Sequence, residues 1–398
     1  MARPLAVPVA QRMARRVAQP WQILGGLAVS GFLLALPGGL LPLWGYHIRP
    51  DFGTAGNYFL ALGAGIVGGG ALALGLRQKV GLERLLTGGY TAAVLATMML
   101  AFAAPPAQVW YQMLALLVTG LAAGIMNCAV LEAMTPCYES SPTWVILTGG
   151  IFFGGGSLLA AVLLAQSFGG GGAMRLLAVA ALLPAAAGIW LARLRIERRE
   201  RAEISLTRSM GDLRSPLAIF FALLLFFQFA NEWSIAGWLP VYLIDRMGVS
   251  PATAVNLLAL YWLSLTVGRI AASKLVKVVR NGKLLGISAF CALFGCTGLL
   301  AGNRFGAIAG LLLTGVGFSV IYPLVSERIS SRFSYYHPGY FNGIFTFALM
   351  GGLLAPFALG HLAERAGLNV IPVATMVGSC AVFALISLIW LGHKVSGK

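Results

Sequence analysis

Apolar residues run along this chain in twelve long stretches, near residues 21–46, 57–76, 85–104, 107–134, 144–167, 173–194, 216–244, 252–276, 284–302, 305–327, 339–360 and 367–391. Each is long enough for a helix to cross a hydrocarbon core of about 30 Å. The pattern predicts an all-α polytopic membrane protein of twelve transmembrane helices, with little room for a soluble domain. The charged segment RLRIERRERAEISLTRSMGDLR divides the stretches into two sets of six. The expected organisation is a tail at 1–20, a half at 21–194, a linker at 195–215, a half at 216–391 and a tail at 392–398.

Composition agrees with that pattern. Hydrophobic residues make up 59% of the chain and charged ones 10%, where soluble domains carry about 25% charged residues. A net charge of +16 would suggest nucleic acid in a soluble protein, but here the bases sort by side. With the N-terminus in the cytoplasm, Arg77, Lys79, Arg84, the seven arginines from Arg193 to Arg214, and Lys274, Lys277, Arg280 and Lys283 all fall on that side. This positive-inside bias predicts an inner (plasma) membrane protein with both termini cytoplasmic. The expected partners are the lipid bilayer and a small-molecule solute; no nucleic acid is expected, and the protein is expected to be a monomer. The basic first twenty residues lack a short apolar core with a small-residue cleavage site, so they read as a retained tail. The five cysteines form no CxxC pair and no His stands at metal spacing, so they read as packing residues and neither metal nor cofactor is expected.

The two halves repeat one another. Gly39-Leu40-Leu41-Pro42 in the first stretch matches Gly237-Trp238-Leu239-Pro240 in the seventh. Gly120, Asn127 and Glu132 fall 195 residues before Gly315, Tyr322 and Glu327, and Gly150-Ile151-Phe152 matches Gly343-Ile344-Phe345. Agreement in order and spacing points to a duplicated unit, the usual construction of transporters with a site between the repeats.

Twelve stretches in two halves around a long basic loop resemble the major facilitator superfamily over nearly the whole chain. Within it, GWLPVYL, VGRIAASKL, GVGFSVIYPLVSERI and GGLLAPFALGHLAERAGL look most like the fucose permease type of proton-coupled sugar symporter. The resemblance implies the major facilitator fold, two pseudo-symmetric six-helix halves whose first, fourth, seventh and tenth helices line a central cavity. The family's loop signature GxLaDRxGR departs here. With Gly81 on its second glycine, Leu74, Gln78, Lys79 and Leu82 occupy the first glycine, Asp, Arg and final Arg positions. The acids that the permease pattern places in helices 1 and 4 are also missing, with Asn127 standing in the fourth.

Glu232, between Asn231 and Trp233, is the ionisable group deepest in an apolar stretch. Placing such a charge at a helix centre costs roughly 2.5 to 3.5 kcal/mol, which calls for a functional explanation. At 100° per residue, Gln228, Asn231, Glu232, Ile235 and Trp238 fall within an arc of about 120°, with Trp233 pointing away. Such a face suits a polyol, with Gln228, Asn231 and Trp238 as solute contacts and Glu232 as the proton-coupling residue. The alternative is a protonated Glu232 acting as interhelical glue. Asn127, Ser319 and Tyr322 are the further solute candidates; for Asn127 and Tyr322 interhelical packing reads equally well. Trp44 and Tyr46 read as packing or interfacial residues.

Glu132 and Glu327 end equivalent helices beside basic loops, and they suggest a cytoplasmic gate. Glu132 would pair with Arg77 or Arg84, and Glu327 with Arg269 or Lys274, when that side closes. Arg269 lies about 12 Å from the inner end of its helix and Glu232 about 24 Å from its own, so these two are not expected to touch. The glycine runs lack the Gly-Lys-Ser/Thr of a phosphate loop; Gly65 and Gly69 form a GxxxG packing pair instead. No HExxH, GxSxG or His cluster points to an enzyme. The sequence therefore reads as a secondary active transporter working by alternating access, with a proton as coupling ion and a sugar or similar small polar solute as cargo. The alternatives are a proton-driven exporter of amphipathic compounds and a transport-dead membrane sensor.

Overall fold

A computed structural model describes residues 17–169, 172–196, 215–333 and 343–395. The tail expected at 1–20 and the linker at 195–215 lie mostly outside these residues, as does the end of the tail at 392–398. Among the described residues, twelve helices are long and apolar enough to cross a membrane, making this a multi-pass membrane protein. They are α1 (Pro20–Leu43), α2 (Phe52–Val80), α3 (Leu82–Ala101), α4 (Val109–Ala133), α5 (Pro142–Gln166), α6 (Ala173–Leu191), α7 (Pro216–Met247), α8 (Pro251–Leu275), α9 (Asn281–Leu300), α10 (Arg304–Arg332), α11 (Gly343–Ala366) and α12 (Val370–Val395).

Local chemistry sets several of these ends. Asp51 accepts a hydrogen bond from Thr54 N at 2.9 Å and Asn303 from Gly306 N at 2.7 Å, capping α2 and α10. Side-chain caps of this kind satisfy amide groups that the first helical turn leaves without partners. Ser250 caps α8 just before Pro251, whose fixed φ suits a first helical position. Gly248, in the left-handed region, ends α7.

Packing follows the repeat. In the first half α1 packs on α5 and α2 on α4; in the second, α7 packs on α11 and α8 on α10. Across the halves α2 packs on α11 and α5 on α8. Under the correspondence of α2 with α8 and α5 with α11, those two contacts are images of each other, as a duplicated unit facing its copy requires. The α2–α4 crossing shows why small residues are needed. A side chain on Gly65 would strike the Leu117 carbonyl, and one on Gly120 the Leu62 carbonyl. With no hydrophobic drive between helices in lipid, such backbone approach is a main source of affinity.

The helix ends bearing Arg77, Lys79, Arg84, Lys274 and Arg332 share one side of the bundle, called here the basic face. On the opposite, far face the halves are closed on each other. Glu364 at the end of α11 accepts from Phe52 N at 2.6 Å and Gly53 N at 3.2 Å, the first amides of α2. His361 and Asn57 meet at 3.1 Å one turn away. Gly38 on α1 backs onto the Ala236 carbonyl of α7.

Candidate functional site

Between mid-membrane and the basic face, a cavity of about 210 Å³ separates the halves. Its walls come from α1, α2, α4, α5, α7, α8, α10 and α11, and among the described residues none of α3, α6, α9 or α12 lines it. Phe153, Phe229, Trp233 and Phe345 give it an aromatic lining, with Phe229 tilted against Tyr322 at 5.1 Å between ring centres and Phe153 edge-on to Trp233 at 6.3 Å.

Glu232 on α7 and Arg269 on α8 form an ion pair in this wall, Arg269 Nη2 to Glu232 Oε1 at 3.5 Å. Both residues are buried, 7% and 6% exposed. Arg269 Nη1 also donates to the Gly150 carbonyl of α5 at 2.8 Å, which joins the charge to the other half of the molecule. Gly150 permits this, because a Cβ there would lie 2.8 Å from Arg269 Cδ and 2.9 Å from Nε. A buried charge is tolerated when it is paired and hydrogen-bonded, and Arg269 has both kinds of partner.

This pairing corrects the expectation that Glu232 and Arg269 are too far apart in depth to meet. Counting from helix ends assumes that the ends share a plane. At 1.5 Å per residue the 32 residues of α7 span about 48 Å, well beyond a hydrocarbon core of about 30 Å. α7 is therefore longer than the core and must project from it, so a depth counted from its end is not comparable with one counted from the end of α8. Arg269, expected at the gate, lines the cavity and pairs there with Glu232.

The expected solute-facing set divides. Asn127 from α4 and Tyr322 from α10 line the cavity at repeat-equivalent positions, whereas Gln228, Asn231, Trp238 and Ser319 are buried in helix contacts outside its lining. Gln228 Nε2 reaches Phe318 O at 3.5 Å, Asn231 donates to Ser379 Oγ on α12 at 3.2 Å, and Ser319 Oγ bonds back to Val316 O. Trp238 donates to Pro356 O at 2.9 Å and packs between Phe52 and Phe59 near the far face. Trp233, expected to point away, lines the cavity. The cavity-facing arc of α7 holds Phe229, Glu232 and Trp233. It is rotated by roughly 100° from the polar arc read in sequence, and the two overlap only at Glu232. Helical periodicity finds the polar face, and here most of that face bonds to neighbouring helices. Trp44 and Tyr46 turn to packing around Tyr58, which continues the hydrogen-bonded chain to Gln112.

At the basic face, Arg77 and Glu132 stand 3.9 Å apart. Glu327 accepts from Thr143 Oγ1 of α5 at 2.6 Å and from Asn281 Nδ2 at 2.9 Å. Tyr138 meets Ser330 at 2.7 Å. Glu327 is thus tied to a hydroxyl of the other half and to the Asn281 amide of its own, and Ser330 is tied across the halves to Tyr138. Arg84 lies beside Glu83 in a polar pocket between α3 and α6, and Lys274 closes the last turn of α8.

No family model matches the chain. Among curated proteins it is 25% identical over 181 residues to the membrane protein MosC of Rhizobium meliloti, covering 44% of each chain. It is 26% identical over 153 residues to an uncharacterised MFS-type transporter of Yersinia pestis, covering 38% of this chain and 40% of that one. A glucose/galactose transporter of Brucella abortus is 27% identical over 148 residues, covering 36% of this chain and 35% of that one. The chain thus spans about two-fifths of the length of these relatives. Among solved structures, an E. coli fucose:proton symporter, FucP, superposes with a TM-score of 0.63 at 18% identity, covering 93% of this chain and 99% of that one. The nucleoside transporter NupG superposes with a TM-score of 0.68 at 13% identity, covering 94% and 99%. The architecture is that of membrane transport proteins built from two six-helix halves. In particular, it is the major facilitator fold.

Proposed function

We propose that this protein is a secondary active transporter of the fucose permease type, moving a sugar or similar small polar solute together with a proton by alternating access. The carrying observation is the Glu232–Arg269 pair, the charged centre of a cavity that the two halves build together. Its Arg269 also holds the Gly150 carbonyl of the other half, so a change in the charge of Glu232 is felt across the interface that must move. Protonating Glu232 removes its attraction for Arg269, which gives the proton a differential effect on two arrangements of the halves. The glucose/galactose transporter and the fucose:proton symporter among the similar proteins support this reading. In it the protein acts as a monomer in the plasma membrane, with the basic face and both termini cytoplasmic.

The aromatic lining supports a second reading, export of amphipathic compounds. That reading uses Glu232 to attract cations, and Arg269 at 3.5 Å offsets the charge it needs. Uptake of radiolabelled sugars into proteoliposomes, with and without a pH gradient, separates the two. Accumulation that follows the gradient supports symport; export of a lipophilic cation without sugar uptake overturns it. Glu232→Gln is expected to abolish gradient-driven accumulation and spare counterflow exchange, and loss of neither activity would remove Glu232 from coupling.

A further inference from the structure

We propose that α10 carries the proton's way out of the cavity, along a ladder of hydroxyls running from Tyr322 through Ser326 to Ser330 at the basic face. This rests on Glu232 as the carrier of the coupled proton and adds the path by which the proton leaves it.

A proton that enters with the solute must leave Glu232 on the basic side while the far face is sealed. Toward the basic face the cavity lining is apolar, with Leu27, Leu131, Val145 and Ile146. Asn127 and Tyr322 are the amide and the hydroxyl of the lining, at positions that repeat 195 residues apart. The two helices then diverge. One turn nearer the basic face, α4 has Leu131 where α10 has Ser326. A further turn on, Thr135 follows the end of α4 and its hydroxyl bonds back to the Glu132 carbonyl at 2.7 Å, whereas Ser330 continues α10. Residues at i, i+4 and i+8 share a helix face, so only α10 aligns three hydroxyls from the cavity to the surface.

The middle rung is unusual. Ser326 is fully buried and its Oγ has no hydrogen-bond partner. The Tyr322 phenol stands close to it, yet outside hydrogen-bond geometry. A buried hydroxyl without a partner costs about 1–3 kcal/mol, and a relay that is broken in this closed arrangement explains why one is kept. The outer rung is joined. Ser330, partly exposed, bonds to Ser326 O at 2.9 Å and meets Tyr138 Oη at 2.7 Å. From Tyr322 to Ser330 is two turns, about 12 Å.

A hydroxyl both donates and accepts, so each rung takes a proton on its oxygen as it hands its own to the next. Cavity water links Glu232 to Tyr322, and rotation of the Ser326 hydroxyl, or one inserted water, closes the gap to Ser330. The last proton passes to water at the basic face. Every hydroxyl ends with one proton, and Glu232 ends as the carboxylate that attracts Arg269. The charged groups beside the ladder face elsewhere. Arg269 holds Gly150 O and Glu232, Glu327 accepts from Thr143 and Asn281, and Arg328 reaches toward Gly282.

The test uses purified full-length protein in proteoliposomes with radiolabelled fucose, galactose and glucose. Two initial rates are taken for each variant: uptake driven by a pH gradient, and counterflow exchange at equal pH, which moves solute without net proton release. Their ratio is the readout, so any loss of folded protein cancels. Ser326→Ala is expected to lower this ratio at least about tenfold, set below the roughly hundredfold or more that a positioned proton-transfer group contributes. Ser326→Thr, which keeps a hydroxyl, is expected to hold the wild-type ratio. So is Ser331→Ala, whose hydroxyl bonds back to Arg328 O at 2.9 Å and lies off the ladder. An unchanged ratio in Ser326→Ala, or an equally low one in Ser326→Thr, would overturn the ladder and leave symport standing. Wild-type uptake that ignores the pH gradient would remove the symport reading, and the ladder would fall with it.

Discussion

Gly150 decides where Arg269 lies. Its missing side chain lets the arginine stem cross α5 and reach both the Gly150 carbonyl and Glu232. Gly150→Ala places a methyl group 2.8–3.0 Å from three atoms of Arg269, so the guanidinium must shift. Overpacking of this kind costs about 1–3 kcal/mol, and about 3–5 kcal/mol if the buried pair is severed. The expected result is a lower unfolding temperature in detergent and weakened transport, with Gly155→Ala, where nothing lies within 4 Å, as the neutral control. Equal stability of the two variants would show that Arg269 is free to move. Each charge was visible in the sequence, Glu232 as an acid in an apolar run and Arg269 as a base too deep to serve topology alone. Their partnership was hidden, because depth counted from helix ends ignores how far α7 projects. The tryptophans lie otherwise than the helical wheel suggests for a related reason: the buried residues Asn231, Glu232, Ser234 and Trp238 face several different neighbours, so a wheel of α7 cannot say which side borders empty space.

At the scale of elements, α2 is one of the helices through which the two halves meet. One side packs on α4 through Gly65, Gly69, Gly120 and Gly124, and this crossing was legible as GxxxG spacing. So were the twelve helices, because long apolar runs leave little choice of structure in lipid. The other contact of α2, with α11, was not legible. Glu364 and Phe52 are 312 positions apart, and no local spacing rule connects them. Glu364 joins Asp51 at the start of α2, where a carboxylate meets unpartnered amides and the positive end of the helix dipole. Glu364→Gln keeps an acceptor and removes the charge, which is expected to loosen the far face. Since such dipole interactions are worth up to about 1 kcal/mol at an exposed end, opening should become more populated by up to about fivefold. Labelling of the cavity residue Cys128 from the far side, with the other four cysteines replaced, measures this. Unchanged labelling would mean that Glu364 is not part of the seal.

The whole molecule is asymmetric in a way its repeats are not. The α2–α11 and α8–α5 contacts are related by duplication, yet the cavity occupies only the part of the interface toward the basic face. Toward the far face, Trp238 packs on Phe52 and Phe59, and the Asn57–His361 contact joins the halves. A transporter built this way must separate α2 from α11 at that end to receive solute from the far side, exchanging this closed arrangement for its pseudo-symmetric counterpart. Tying the two helices together should therefore stop the cycle without damaging the cavity. Cysteines at Asn57 and His361, whose side chains now meet at 3.1 Å, can be joined by a short thiol-reactive cross-linker carrying a reducible bond. The cross-linked protein is expected to lose transport and recover it on reduction, while each single-cysteine variant treated alike keeps its activity. Solute binding in the cavity should survive, because the cavity residues lie away from the tie. Full transport by a verified cross-linked protein would mean that α2 and α11 need not part at the far face. Rocking of one half against the other would then not be how this chain moves its solute.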